Sequence, residues 1–285
     1  DCAAGNLGAV EEGLWRSDPI TLLGSPPAEG WHFTYSNFAR NAAIINIANP
    51  GGLGFTLRAI MYPYTIAGVV QNADPCFDSS PEFKEEAKTI ICIGYPFSYS
   101  HNATDDEFDK LTYAWADPLD NYSTPYVADT SNVTGVIPYA PNPPYSLTTP
   151  LPGNPTLDFE TGKISYFSNT SGSFVTCVKV KARKCGQLVA EIYREVQVTL
   201  IDCNTNPPIG GFNNPPTITP PFPLNANPFE QDVYAVDLVT FNIQAEDNDM
   251  YPGGISQEVF MDVSGGEFST DFININLCPN PPCAT

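Results

Sequence analysis

The chain has 285 residues, with 12 Lys and Arg against 32 Asp and Glu, which gives a formal net charge of −20. This charge repels phosphate backbones and anionic membrane surfaces, so we expect neither nucleic-acid binding nor direct membrane insertion. The 29 prolines leave little room for long helices, while a hydrophobic share of 42% is enough to form cores.

Short alternating segments predict β-strands from the N-terminal part onward. Residues 31–35 and 55–60 alternate apolar and polar side chains, and 163–167 does the same. Between the first two, the Ala- and Ile-rich segment 37–47 is the only one with a helical pattern. The chain is therefore predicted to be almost entirely β.

The clearest predicted unit is a β-hairpin in the second half of the chain. Its arms are 173–182 and 188–200, both alternating, and a turn at 183–186 ends in glycine. Strands separated by Pro, Gly and Asn predict an all-β fold of tandem immunoglobulin-like or cadherin-like β-sandwich domains.

Two breaks in the pattern predict the domain boundaries. One lies near 72–75, and the other is the Pro-, Gly- and Asn-rich stretch NTNPPIGGFNNPP. The predicted units are an N-terminal β domain at 1–74 (whole or incomplete), a sandwich at 75–203, a linker at 204–216 and a second, truncated sandwich at 217–285.

A weak internal repeat supports this division. Residues 79–83 match 214–218, and 97–105 match 239–247. Each copy has a Pro-led first strand, an alternating second strand and an Ala-x-Asp sequence that opens an acidic loop. The repeat predicts two domains of the same kind.

The cysteine content predicts an oxidising compartment. No cysteine pair has the spacing of a zinc site, and their number leaves the connectivity open. The alternative to disulfides is a set of buried free thiols. The disulfide candidates are Cys2, Cys76, Cys92, Cys177, Cys185, Cys203, Cys278 and Cys283.

The acidic loop of each copy is a candidate Ca²⁺ site. Asp105, Glu107 and Asp109 stand at alternate positions, and a loop can bring such carboxylates together around an ion that prefers six to eight oxygens. The second copy keeps Asp247 and Asp249 but has a tyrosine at the third position. The alternative is a solvated acidic turn in each copy. Ca²⁺ is the one cofactor predicted.

A Pro-rich stretch at 119–155 is a candidate glycan-binding segment, because rigidly held tyrosines present flat apolar rings to sugars. The alternative is a covering loop whose rings pack inward against a sandwich face. The candidate residues are Tyr122, Tyr126, Tyr139 and Tyr145.

Catalytic signals are weak in this sequence. The two histidines, His32 and His101, lie in strand-like contexts, and no nucleophile elbow, phosphate-binding loop or HExxH motif occurs. A carboxylate pair for glycoside hydrolysis is recognised only by its geometry and stays open. We therefore predict that the chain is not an enzyme.

Two motifs resemble bacterial surface domains. The sequence LDFETGKISY at 157–166 is similar to a turn of cadherin-like and immunoglobulin-like domains, and ATDDEFDKLTY at 103–113 is similar to their acidic loop. The order of motifs between 31 and 249 resembles the large repetitive surface adhesins of gliding Bacteroidetes.

This resemblance implies an extracellular, outer-membrane-associated protein that acts in surface attachment and gliding. The implied partners are neighbouring repeats of the same chain, a surface polysaccharide or abiotic surface, and the type IX secretion and gliding machinery. Two alternatives stay open. One is a carbohydrate-binding or spacer module of a secreted polysaccharide-degrading enzyme, and the other is a structural subunit of a surface filament.

Overall fold

The computed structural model describes residues 13–71, 78–84, 87, 90–121, 135–141, 144–202, 214, 216–234, 237–251, 254–257, 259 and 261. These parts of the chain are essentially all-β, which confirms the predicted class. They contain one short 3₁₀ turn, Pro50–Gly52, and no α-helix. Within the same ranges no helix is long and apolar enough to cross a membrane.

The strands vary greatly in length, and two of them are much longer than the others. In chain order they are β1 (Trp31–Asn37), β2 (Phe55–Met61), β3 (Thr65–Ile66), β4 (Val69–Val70), β5 (Glu82–Phe83), β6 (Ile90–Cys92), β7 (Pro96–Ser100), β8 (Ala103–Thr104), β9 (Lys110–Trp115), β10 (Thr156–Leu157), β11 (Lys163–Phe167), β12 (Gly172–Lys184), β13 (Gln187–Ile201), β14 (Thr217–Thr219), β15 (Gln244–Glu246), β16 (Met250–Tyr251) and β17 (Ile255–Ser256).

The predicted hairpin is confirmed as β12 and β13. The two strands pair antiparallel from the turn to Gly172, which lies opposite Leu200. Cys185 and Gly186 form the turn with φ angles of 49° and 83°. These left-handed angles are the ones that a two-residue hairpin loop needs, and glycine adopts them without a steric cost.

The hairpin is the centre of a large sheet in the order β1-β2-β13-β12-β9. The predicted strands at 31–35 and 55–60 are confirmed as β1 and β2. Neighbours along this path are antiparallel. β6 joins the sheet differently, because it pairs parallel with the end of β13 and places Cys92 opposite Ile201.

A smaller antiparallel sheet, β10-β11-β7, contains the predicted strand at 163–167. Alternate residues of the hairpin point towards it, as expected for two sheets packed face to face. The arrangement is consistent with a β-sandwich. The core consists of Ile91, Ala103, Tyr113, Leu151, Ile164, Tyr166, Phe174, Val178, Val180, Ile192, Val196, Val198 and Leu200.

Segments without regular structure cover part of the opposite face of the large sheet. Val175 projects to this side and packs with Ile44 and Ile47. Asn46 lies fully buried between them. Its side-chain amide donates to the carbonyl oxygens of Pro150 and Val175, at 2.7 Å each, and its oxygen accepts the Val175 N–H at 2.9 Å.

The helix predicted over 37–47 does not form, so that prediction was wrong. The segment instead bonds to the sheet below it: the Ile45 N–H donates to the Ser173 carbonyl at 2.9 Å, and Asn46 bonds to Val175. Short asparagine-containing segments have only a weak preference for helix, and these tertiary bonds outweigh it.

Residues before 74 share a sheet with residues after it. β2 pairs with β13 over Ala59–Met61 and Ala190–Ile192, and the cluster around Val175 also draws on both parts of the chain. The division predicted near residue 74 therefore falls within one sheet. Composition alone does not reveal this pairing, because the two strands are distant in sequence.

The LDFETGK sequence forms a tight turn between β10 and β11. Asp158 Oδ1 accepts the backbone N–H groups of Glu160 and Thr161 at 2.9 and 2.8 Å. Gly162 has a φ of 67°, and a Cβ atom there would lie 2.4 Å from the Tyr113 ring. The motif residues thus serve the turn and the core beneath it.

The predicted internal repeat has a counterpart in strand pairing. β5 pairs antiparallel with β8, which places Phe83 opposite Ala103. β14 pairs antiparallel with β15, which places Ile218 opposite Ala245. The sequence match aligns Phe83 with Ile218 and Ala103 with Ala245, so this strand pair has the same register in both copies.

Three of the disulfide candidates lie among the described residues. Cys92 is disulfide-bonded, whereas Cys177 and Cys185 are free thiols, so the prediction does not hold for these two. Cys177 is buried within β12 and Cys185 lies at its turn. The strand between them covers about 23 Å, far beyond the roughly 6 Å Cα separation of a disulfide. The other candidates, Cys2, Cys76, Cys203, Cys278 and Cys283, lie outside the described residues.

Candidate functional site

The acidic loop after β8 is held by its own carboxylates. Asp105 Oδ1 accepts the backbone N–H groups of Glu107 and Asp109 at 3.1 Å each, which is an Asx-type turn. Glu107 Oε2 accepts the Ser79 hydroxyl at 2.6 Å and the Ser79 backbone N–H at 3.2 Å. We call this set of bonds the first clasp, because it ties the loop to the segment that enters β5.

The second copy contains the same device, the second clasp. Asp247 Oδ1 accepts the backbone N–H of Asp249 at 2.8 Å. Asp249 in turn accepts the backbone N–H of Asn214, and the Asn214 side-chain amide donates to it at 3.2 Å. Asn214 is the residue that the sequence match aligns with Ser79. In both copies a carboxylate two residues after the Ala-x-Asp aspartate holds the entry segment.

Asp109 faces Lys184, the last residue of β12. Lys184 Nζ donates to Asp78 Oδ1 at 2.5 Å and lies 3.6 Å from Asp109 Oδ2. The Asp78, Asp109 and Lys184 side chains are only 3, 6 and 18% exposed. We call these three residues the Lys184 cluster. No sequence signal links Asp78 to Lys184, since 106 positions separate them.

The cluster is an electrostatically strained environment for its carboxyl groups. Burial raises the pKa of Asp78 and of Asp109, although Lys184 acts to lower both. The neighbouring carboxylates add to the increase, Asp109 for Asp78 and Asp105 for Asp109. The pKa of Asp105 is raised as well, chiefly by burial. By contrast, the hydrogen bond from the Ser79 hydroxyl lowers the pKa of Glu107.

The predicted Ca²⁺ ligands of the first loop have different partners. Asp105 and Glu107 belong to the first clasp, while Asp109 faces Lys184. Across the described ranges, no three or more His, Cys, Asp or Glu side chains form a metal-binding group. Two carboxylate oxygens of the loop, Asp105 Oδ2 and Asp109 Oδ2, are buried and have no hydrogen-bond partner among the described residues. Asp247 and Asp249 are likewise engaged in the second clasp.

The predicted glycan-binding tyrosines do not form a shared platform where they are described. Tyr139 is half-buried against the cluster around Val175. Tyr145 packs edge to face on Phe174, with ring centroids 5.8 Å apart. Burial raises the pKa of both hydroxyls. The other two candidates, Tyr122 and Tyr126, lie outside the described residues.

A different aromatic surface is present on β1 and β2, and the sequence reasoning missed it. The Trp15 ring lies 5.8 Å from the Tyr35 ring, which lies 6.1 Å from the Phe55 ring. Trp15 is 74% exposed. We call these three residues the aromatic strip. The alternation of β1 indicates that one side of the strand is apolar. It does not show that this apolar side, at the edge of the large sheet, is left uncovered by the smaller sheet.

The aromatic strip ends at a cleft of about 230 Å³. Phe55 and Leu57 form an apolar side of this cleft, and Arg40, Asn41 and Gln197 supply polar groups. Strand β2 pairs with β13 only over its last three residues, and the cleft opens beyond this pairing. The cleft is slightly smaller than the 300–1,000 Å³ typical of small-molecule sites.

The floor of this cleft contains a buried ion pair. Both Arg40 guanidinium nitrogens Nη1 and Nη2 donate to the Glu195 carboxylate, and Nη2 also donates to the Leu119 carbonyl at 2.9 Å. Burial raises the pKa of Glu195, and the bonds from Arg40 act to lower it. A bidentate pair of this kind fixes the position of segment 38–53 on the sheet.

His101 is a core residue that lies between β7 and β8, whereas its sequence context suggested a polar position in a strand. It is 1% exposed and lies edge-on to Phe83 and Tyr99. Neither ring nitrogen has a hydrogen-bond partner among the described residues. The ring borders a cavity of about 20 Å³ beside Tyr166. Burial, aided by the positive charge of Arg194, lowers the pKa of His101 to about 3.

Comparison with known proteins identifies no relative. No protein-family model, no curated protein and no solved structure matches the chain.

The buried His101 makes stability depend on pH. In the folded chain the pKa of His101 is about 3, below the ordinary value of 6.5 that applies in the unfolded chain. As pH falls through 6.5, the unfolded chain therefore binds a proton at this residue and the folded chain does not. We expect the free energy of unfolding to fall by about 2 kcal/mol between pH 7 and pH 5.

Urea denaturation at the two pH values measures this effect. His101→Gln removes the titrating group and is expected to flatten the dependence, whereas the control His32→Gln retains it. An unchanged pH dependence in His101→Gln would show that another group is responsible. The interval stops at pH 5 because carboxyl groups with raised pKa values, such as Asp78, stabilise the folded state on acidification and oppose the histidine.

Proposed function

We propose that the chain is a non-catalytic segment of a large extracellular adhesin that attaches cells to a surface during gliding. The segment consists of tandem immunoglobulin-like or cadherin-like sandwiches displayed at the outer membrane after type IX secretion. Its partners are neighbouring repeats, a surface polysaccharide or abiotic surface, and the secretion and gliding machinery. The proposal rests on the sequence resemblance together with three structural features.

The observation that carries the proposal is the recurrence of the clasp. Glu107 bonds to Ser79 in the first copy, and Asp249 bonds to Asn214 in the second. Each bond joins an acidic loop to the segment that enters a strand pair of the same register. In a long array of repeats, each unit contacts only its neighbours. A unit that fixes its own entry segment also fixes the direction in which the preceding unit joins it.

The position of β6 supports a load-bearing role. β6 follows the entry segment and pairs parallel with the final residues of β13. A force that pulls Ser79 and the chain after Ile201 apart would pull β6 and β13 in opposite directions along their lengths. The hydrogen bonds between these two parallel strands would then be loaded together, in shear. The disulfide at Cys92 lies in the same ladder. Disulfides are typical of extracellular proteins.

The aromatic strip supplies a contact surface for a polysaccharide. The exposed Trp15 ring and the half-buried Tyr35 and Phe55 rings offer flat apolar area in a row. The adjoining cleft adds the polar groups of Arg40, Asn41 and Gln197. An exposed apolar patch with a polar rim is typical of binding sites. The cleft has room for a single sugar-sized ring, so we assign the polysaccharide contact to this surface and not to Tyr139 and Tyr145.

Substitutions in the aromatic strip test the polysaccharide contact. We expect Trp15→Ala and Tyr35→Ala each to weaken binding about five- to tenfold, because one aromatic contact is worth about 1 kcal/mol. Binding is measured on a glycan array and then by titration with the polysaccharide that gives the strongest signal. Phe159→Ala is the control, since this exposed ring lies in the β10–β11 turn. An array without signal, or signals that both strip variants retain, would contradict the assignment.

We also propose that the first acidic loop binds Ca²⁺. The supporting observation is Asp105 Oδ2, a buried carboxylate oxygen without a hydrogen-bond partner. Asp78, Glu107 and Asp109 interact with a single ammonium, that of Lys184, and Asp105 lies next to Asp78 and Glu107. Hard oxygen ligands of this type favour Ca²⁺. Asp105 holds the ion in this proposal, and backbone carbonyls or water complete its coordination.

Titration of chelator-treated protein with millimolar Ca²⁺ tests this proposal. We expect binding heat and a rise in melting temperature, because a ligand of the folded state stabilises it by mass action. Asp105→Asn is expected to abolish both signals, while the control Asp106→Asn, at an exposed neighbouring position, keeps them. Absence of heat and of any thermal shift in the unsubstituted chain would refute Ca²⁺ binding.

A further inference from the structure

We propose that Lys184 and Asp78 condense to an intramolecular isopeptide bond, an amide between Lys184 Nζ and Asp78 Cγ, with Asp109 as the proton carrier. This modification is independent of the adhesive function proposed above. It is suggested by the contacts within the Lys184 cluster.

The two reacting groups are already in contact. Lys184 Nζ lies 2.5 Å from Asp78 Oδ1, which is closer than a typical ammonium–carboxylate hydrogen bond of about 2.7–2.9 Å. Lys184 is fixed at the end of β12, next to the two-residue turn, and Asp78 precedes the Ser79 anchor of the first clasp. Both backbones are therefore held in place. Reacting groups held in contact in this way gain a large effective concentration over free partners.

A third group lies within reach of the same nitrogen. Asp109 Oδ2 is 3.6 Å from Lys184 Nζ, is buried, and accepts no hydrogen bond in the described structure. A carboxylate in this position can take a proton from the amine and pass it to an oxygen of Asp78. Its place is fixed by the Asp105 side chain, which accepts the Asp109 N–H at 3.1 Å.

The surroundings favour loss of water. The Asp78 and Asp109 side chains are almost fully buried. Leu111, Ala182 and Val189 pack around Tyr64 at this end of the hairpin, and Tyr64 also interacts electrostatically with Lys184 and Asp109. A site with little water also keeps bulk solvent away from the reacting carbon.

The condensation balances without any added reactant. The ammonium of Lys184 gives one proton to Asp109, and the neutral amine attacks the Asp78 carboxyl carbon. A C–N bond forms, and one C–O bond of Asp78 breaks. The departing oxygen takes the proton from Asp109 and the second proton from nitrogen, and leaves as water. No group is oxidised or reduced, and Asp109 ends in its original state.

The charge state of the resting pair follows from its contacts. Burial acts to lower the pKa of Lys184, but the hydrogen bond to Asp78 and the adjacent carboxylates raise it overall. The resting pair is thus an ammonium and a carboxylate, and proton transfer to Asp109 precedes the attack.

The bond would join the entry segment ahead of β5 to the end of β12. It would close a covalent loop between two positions 106 residues apart. Tension applied at the entry segment would then pass directly into the central hairpin, bypassing the hydrogen bonds of the first clasp.

Mass spectrometry of the purified full chain tests the proposal. After reduction of all disulfides and denaturation, the intact mass should be lower than the sequence mass by one molecule of water. A protease digest should contain a branched peptide that joins the segments around Asp78 and Lys184, and trypsin should no longer cleave after Lys184.

Two variants separate this bond from other causes of water loss. Lys184→Arg keeps the positive charge and the ion pair but cannot form the amide, and it should have the full sequence mass. A succinimide at Asp78 would also lose water, but it would persist in Lys184→Arg and give no branched peptide. Asp109→Asn keeps the shape of the proton carrier, and we expect at least a tenfold slower bond formation on refolding. Circular dichroism confirms that each variant folds. A folded unsubstituted chain with the full sequence mass after prolonged incubation would overturn the proposal.

Discussion

The antiparallel pairing of β12 with β13 determines where the other long strands lie. Each of these strands offers its free edge to neighbours, so β9 adds to β12 while β2 and β6 add to different parts of β13. Their alternating residues also form two separate cores, one facing the smaller sheet and one facing segment 38–53. Because the two-residue turn fixes the register, a shift by one residue would exchange the two faces. Such a shift would bury Lys179 in the sandwich core and expose Val178.

The excess of acidic residues has a structural use in this fold. Asp105, Glu107, Asp247 and Asp249 accept hydrogen bonds within the clasps, and Asp158 does the same in the β10–β11 turn. Carboxylates in such positions accept hydrogen bonds from backbone N–H groups that have no backbone acceptor in short, Pro-rich connections. The high proline content and the negative charge therefore act together.

Local patterns in the sequence predicted the local structure well. Alternation identified β1, β2, β11 and the hairpin, because side-chain period and turn chemistry act over a few residues. The repeat predicted two units of the same kind, and the structure adds that the matched segments form strand pairs with the same register. Predictions that depended on distant contacts were less successful. The local pattern of segment 37–47 predicts a helix, but no helix forms there. Asn46 instead bonds to Val175, which lies 129 positions away.

The candidate site shows the same limit. Spacing drew attention to Asp105, Glu107 and Asp109 as candidate Ca²⁺ ligands, but it did not reveal that Glu107 bonds to Ser79 or that Asp109 faces Lys184. It also could not show that Cys177 is a free thiol buried in a strand interior, or that Trp15 is exposed beside β1. Each of these facts depends on which strands become neighbours, and the pairing of distant strands is not encoded in any single segment.

The most direct test of the account is deletion of the gene in the bacterium that carries it, followed by microscopy of cells on glass. The account predicts that cells lacking the protein attach poorly and lose gliding, and that the complete gene restores both. Cells that attach and glide as well as the parent strain would contradict it.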